Sequence, residues 1–153
     1  MYDAFKFLHV LGVTVLIGNV TITAFWKVLA DMTRDPVVIA HAQRGVGIAD
    51  WLFTLSGIAL ILLGGFGAAH VGGMHPFGSS WLLAGEVLFA VSGVIWLAIL
   101  VPLQIRQGRT ARGFAAGGEI PAQYFADSRA WLVWGIIATI PLVAAMAIMI
   151  VKP

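Results

Sequence analysis

The residues of this chain best equipped for chemistry are three histidines and a glutamate. His9 stands in 7-FLHVLGVTVLIGNVTITAFW-26, a stretch otherwise apolar but for glycines, Asn19 and three threonines. His70, His75 and Glu86 lie in and around the Gly-rich segment 71-VGGMHPFGSS-80. Neutral imidazole ligates haem iron, zinc or copper, and two imidazoles from adjacent antiparallel helices can clamp a b-type haem without any cysteine. The leading pair is His9 and His70. The same residues suit a metal site of His9, His70 or His75 with Glu86, because two imidazoles plus a carboxylate suit zinc or iron(II), with copper a further candidate. A third use is proton exchange, for which His and Glu within a span are well suited. The chain has no cysteine, which excludes disulfides, thiolate metal sites, iron–sulfur clusters and covalent haem attachment.

The elements that position these residues follow from composition. Of 153 residues 60% are hydrophobic and 10% charged, with mean hydropathy +0.96, far from an ordinary water-soluble domain. Four stretches, 7–26, 51–69, 81–102 and 130–151, approach the roughly 20 residues a helix needs to cross about 30 Å of hydrocarbon. Within lipid every backbone N–H and C=O needs an internal partner, and no period-2 alternation of the barrel type is present. The expected fold is therefore all-α, one four-helix membrane domain running up-down-up-down, with helices over about 5–29, 36–70, 80–106 and 128–151. Residues 7–26 exceed the apolar core of a secretory signal, and Asp3 accompanies Lys6 ahead of them, so this stretch reads as a retained first helix.

Charge sets the expected orientation. Lys27, Arg34 and Arg44 flank the first connection and Arg106, Arg109, Arg112 and Arg129 the third, against Lys6 and Lys152 at the ends and none in the second. That asymmetry predicts a cytoplasmic first and third connection, with both termini outside. Asp35 before Pro36 reads as an N-cap with proline at the first helical position, so the second helix projects into the cytoplasm. Ser79 or Ser80 is a candidate N-cap for the third helix, and Trp81 an interface anchor. Pro141 removes one hydrogen bond in the fourth helix, with Thr139 close enough to help the freed carbonyls. The glycines of 64-GGFG-67 allow close approach by helix one or by a flat cofactor.

On the first helix His9, Gly12, Leu16, Asn19, Thr23 and Trp26 step by three or four and share one stripe facing the bundle. Asn19 and Thr23 read as helix–helix hydrogen bonds. With the expected orientation His9, His70, His75 and Glu86 gather near the outer face, where Trp81 can pack against a macrocycle and Glu86 pairs with a histidine or opens to water. The plain alternative is that His70 and His75 are solvated interface residues and that His9 hydrogen-bonds a neighbouring helix. At the inner side Arg44, Asp50, Arg106, Asp127 and Arg129 are candidates for ion pairs at headgroup level, and 106-RQGRTAR-112 is a basic patch suited to anionic lipid rather than nucleic acid. His41 reads as a surface residue. No phosphate loop, dinucleotide fingerprint or Ser-His-Asp spacing is present.

Taken in order, 5-FKFLHVLGV-13, 50-DWLFTLSG-57, 97-LAILVPLQIR-106 and 148-IMIVKP-153 resemble a bacterial family of four-helix integral membrane proteins, the domain of unknown function 2269 family, across the whole chain. That resemblance implies four spans and no particular activity. More distantly, 6-KFLH-9 is similar to the Lys-x-x-His opening of the bacterial membrane protoporphyrinogen oxidases, which implies a haem b role for His9 alone. The third helix here carries no lysine and offers Glu86 instead, so the oxidase activity does not carry over; copper-resistance membrane proteins are a weaker parallel. The expectation is a bacterial inner-membrane protein that holds haem b near its outer face through His9, with His70 as second ligand, and passes electrons. The alternative is a haem-free component, whether transporter, metal-handling protein or accessory subunit, working as a homodimer or with a partner protein. Whether it is an enzyme stays open.

Overall fold

The computed structural model describes residues 1–75 and 78–152. Pro76 and Phe77, in the middle of the expected outer turn, and Pro153 lie outside the described residues. The fold is all-α, built on four helices each long and apolar enough to cross a membrane: α1 (Tyr2–Thr33), α2 (Pro36–Val71), α3 (Ser80–Phe114) and α4 (Ala122–Val151). Their outward surfaces carry exposed Phe25, Trp51, Leu63 and Ile140, which is what a surface bathed in acyl chains requires, since apolar side chains there have no water to escape.

The turn between α1 and α2 takes two residues. Arg34 adopts the left-handed conformation at φ 57° and ends α1. The Asp35 carboxylate then accepts the amides of Val37 at 2.8 Å and Val38 at 3.1 Å, capping α2 with Pro36 at its first position, as the sequence predicts. Ser79 takes the N-cap position of α3 but makes no side-chain cap. The helices outrun the apolar stretches. α3 continues to Phe114 and α4 starts at Ala122, where sequence hydropathy suggests a longer loop. Gln107, Ala111 and Phe114 explain this: spaced four and three apart, they form a buried stripe packed with Ile39 and Tyr124. Hydropathy marks the edge of the lipid, whereas amphipathic spacing carries the helix past it.

Two π-turns interrupt α2 at Asp50–Thr54 and α3 at Trp96–Leu100. Such one-turn expansions are rare and recur at functional sites.

The helices pair as two antiparallel hairpins, α1 with α2 and α3 with α4. In the first, the glycines 64–67 are filled by α1 itself. A Cβ on Gly64 would sit 2.3 Å from the backbone nitrogen of His9, and one on Gly67 2.4 Å from the Phe5 ring. Of the two occupants suggested by sequence, helix one takes the glycine bed. In the second hairpin Ser92 Oγ donates to the Ala138 carbonyl at 2.8 Å, one turn before Pro141. Thr139 donates to Gly135 O at 2.8 Å, not to Ile137, the carbonyl that would otherwise have received the missing Pro141 amide.

Helix backbones of the two hairpins approach closely only at the end bearing the arginine-rich connections, called here the basic end, where α2 meets α3 and α1 meets α4. Nearer the terminal end they touch through side chains, with Leu16, Ile61 and Leu142 buried together and Phe89 against them.

Gly64→Ala is expected to destabilise the α1–α2 hairpin by about 1–3 kcal/mol through overpacking. Gly93→Ala, whose new Cβ meets nothing within 4 Å, should be neutral or slightly stabilising. Unfolding of both variants by sodium dodecyl sulfate in mixed micelles measures the difference.

Candidate functional site

Polar side chains are concentrated at the basic end and thin out toward the middle of the bundle. Lys27, 2% exposed on α1, is the most deeply buried charge. Its Nζ lies 3.3 Å from Asp31 Oδ2, one helical turn along, and donates to the Tyr124 hydroxyl of α4 at 2.9 Å. The Tyr124 hydroxyl donates its single hydrogen bond to Asp31 Oδ1 at 3.1 Å, with Gln43 Oε1 farther off at 3.5 Å. Ser128 Oγ also donates to Asp31. Lys27 Nζ is 4.9 Å from the Tyr124 ring centroid and 5.8 Å from that of Trp131, within the range of cation–π attraction. One lysine thus binds α1 to α4, the first and last helices of the chain. The sequence reading treats Lys27 only as a connection charge and overlooks Asp31 and Tyr124. The available signal is the i,i+4 spacing of Lys27 and Asp31, but an exposed helix face shows the same spacing.

A second latch joins α3 to α4. Arg106 holds Asp127 with two 2.6 Å hydrogen bonds, and Gln123 donates to the same carboxylate at 2.8 Å. This pair is among the ion pairs expected from sequence at headgroup level. Asp50, named with them, behaves otherwise. It sits in the π-turn of α2 and accepts from three neutral groups: Thr54 Oγ1 at 2.9 Å, Asn19 Nδ2 at 3.4 Å and Trp96 Nε1 at 3.5 Å. No arginine or lysine pairs with it among the described residues. Asn19 also donates to Thr54 at 3.0 Å, the helix–helix contact expected of it. Thr23 instead bonds back to Asn19 O within α1.

Asn19 lies eight residues before Lys27 on α1, about 12 Å along the axis, so Asp50 is set well inside the bundle from the Lys27 clasp. There it lines a groove of about 760 Å³ between the hairpins. The walls are apolar or small: Leu16, Val20 and Ala24 from α1, Phe89, Gly93, Trp96 and Leu100 from α3, and Trp131, Gly135 and Leu142 from α4. Cβ atoms added at Gly93 or Gly135 would meet nothing within 4 Å. These two glycines keep the groove wide, in contrast with Gly64.

The residues singled out from sequence lie beyond this groove toward the terminal end. His9 is half-buried, and its Nδ1 lies 2.9 Å from the Ile61 carbonyl, the helix–helix hydrogen bond foreseen as the plain alternative. Its ring rests on Gly65, whose added Cβ would be 3.0 Å from Nδ1. His70 is exposed and stands six residues after Gly64, hence about 120° around α2 from the face that meets His9. His75 is exposed. Glu86 is half-buried, and its Oε2 is enclosed with no hydrogen-bond partner. Trp81 packs under Lys152, whose Nζ is 5.2 Å from the ring centroid. Among the described residues no three His, Cys, Asp or Glu side chains converge as a metal would require.

Removing one member of a buried ion pair strands the other and costs about 3–5 kcal/mol. Lys27→Ala is therefore expected to lower stability by that amount. Arg34→Ala, which removes an exposed guanidinium 4.1 Å from the Phe125 ring centroid, should cost about 0.5–1 kcal/mol. The same detergent unfolding assay distinguishes the two.

Residues 3–153 match the family described as predicted integral membrane protein (DUF2269). No curated protein and no solved structure matches the chain, so the distant similarity to protoporphyrinogen oxidases stays with 6-KFLH-9 alone. Four bilayer-length helices and a family match over nearly the whole length agree, and the chain belongs to the DUF2269 family of integral membrane proteins.

Proposed function

We propose that this protein is a haem-independent membrane component that takes up an apolar or amphiphilic molecule from the bilayer into the groove between its two hairpins. The observation that carries the proposal is the groove itself, about 760 Å³ with an almost wholly apolar lining, in the size range of pockets for small organic ligands. The setting is a bacterial inner membrane, with the basic connections in the cytoplasm following the lysine and arginine asymmetry. A ligand dissolved in the bilayer enters sideways between the hairpins, with no aqueous path needed. Phe89, Trp96 and Trp131 supply aromatic contact area, and Gly93 and Gly135 leave the space.

A neutral alkyl diazirine photoprobe tests this. Labelling of Phe89 and Trp96 is expected to saturate with probe concentration in the parent protein and to fall sharply in Gly93→Trp, where an indole obstructs the groove beside them. Labelling that rises linearly and is unchanged in Gly93→Trp would overturn the proposal.

A second reading, a b-type haem held by His9 with a redox role, is favoured by one geometric detail. The Nδ1–Ile61 carbonyl contact fixes the tautomer that leaves Nε2 with its lone pair, as in metal-ligating histidines whose other nitrogen is anchored. The fit extends to one imidazole that would hold the haem, because His70 lies off that face of α2. When bound, the haem would supply one-electron chemistry, and His9 would hold and orient it. A dithionite-reduced minus air-oxidised spectrum of the purified protein is then expected to show a b-type α band, with the Soret band lost in His9→Ala. A featureless spectrum after haem-supplemented expression removes this reading.

A further inference from the structure

Resting on the groove reading, we infer that the ligand class is a lipophilic organic cation, recognised by the carboxylate of Asp50 together with the indoles of Trp96 and Trp131. Asp50 is the one ionisable side chain in the groove lining. All three of its hydrogen-bond donors are neutral, and the only one reaching Oδ2, Trp96 Nε1, does so at 3.5 Å, the long limit of such a contact. That oxygen therefore retains acceptor capacity toward the cavity.

A carboxylate at this depth is costly unless a positive charge accompanies it. Among the described residues no lysine or arginine pairs with Asp50. Lys27, the buried cation nearest along α1, is committed to Asp31 and Tyr124, and the Arg106 guanidinium to Asp127. A ligand that carries the countercharge would complete the site.

The surroundings decide which cation. A small hydrated ion needs a shell of six or so oxygens, whereas Asp50 is faced by an amide nitrogen of Asn19 and an indole N–H of Trp96, both of which repel a bare metal ion. An alkylated or delocalised cation needs no such shell. It gains from aromatic faces within about 6 Å, and Trp96, Trp131 and Phe89 all line the groove. Such a cation also partitions into the bilayer, the medium onto which the groove opens. The π-turns of α2 and α3 contribute Asp50 and Trp96 respectively, so both irregular segments meet at this one point, as expected where backbone regularity is given up for a site.

The test uses tetraphenylphosphonium and the full chain in detergent micelles, with binding followed by equilibrium dialysis. Saturable binding is expected, weakened tenfold or more in Asp50→Asn, largely retained in Asp50→Glu and abolished in Gly93→Trp. The neutral photoprobe should still label Asp50→Asn, which shows that the variant is folded and separates loss of cation recognition from loss of the groove. Equal tetraphenylphosphonium binding by parent and Asp50→Asn overturns the inference while leaving the groove reading intact. So does an absence of saturable cation binding in a parent protein that the neutral probe labels. Efficient disulfide formation between Gly93→Cys copies, in a chain with no other cysteine, would put a second copy in the groove and overturn both.

Discussion

An ammonium group withdrawn from water must keep countercharge and hydrogen-bond acceptors within a few ångströms, and Lys27 does so with side chains drawn from both termini of the fold. Asp31 comes from its own helix and Tyr124 from the last one. Ser128 completes the Asp31 carboxylate. Because Tyr124 and Ser128 of α4 hydrogen-bond the Lys27–Asp31 pair of α1, separating the first and fourth helices at this end would leave that pair without these partners. The Arg106–Asp127 pair adds a bidentate link between α3 and α4 one layer away. The basic end is thus a polar clasp, and the remainder of the bundle hangs from it.

With the hairpins tied at one end, their middle portions are free to stand apart. The groove follows from that geometry and from where small residues fall. Gly12 and Gly64 face a neighbouring backbone at distances no Cβ could tolerate, so they draw α1 and α2 together. Gly93 and Gly135 face open space, so they leave the gap between the hairpins unfilled. In lipid no hydrophobic force closes such a gap, because acyl chains solvate the walls as well as protein does. A soluble protein with the same opening would collapse.

Asp50 gains its character from this arrangement. In a headgroup-level position it would be one more surface carboxylate. Carried by a π-turn into the groove, with Asn19, Thr54 and Trp96 around it, it becomes the one carboxyl group in an otherwise largely apolar wall. His9 shows the opposite case: the sequence singles it out, and the structure accounts for one ring nitrogen by a hydrogen bond to the neighbouring helix.

The sequence alone determined the number of spans, the all-α class, the Asp35–Pro36 helix start and the Arg106–Asp127 neighbourhood. Each of these rests on local physics: hydropathy over about 20 residues, a cap closing over two or three, or charges confined to a short connection. It also raised the right question at 64-GGFG-67, though not which occupant fills the glycines. Tertiary structure decided what depends on partners far apart in the chain. Lys27 meets Tyr124 across 97 positions and Asp50 meets Trp96 across 46, and neither spacing leaves a periodic trace. Whether a glycine closes a contact or opens a cavity, and whether an aspartate faces headgroups or the bundle interior, is set by which helix stands opposite, and no single helix encodes that.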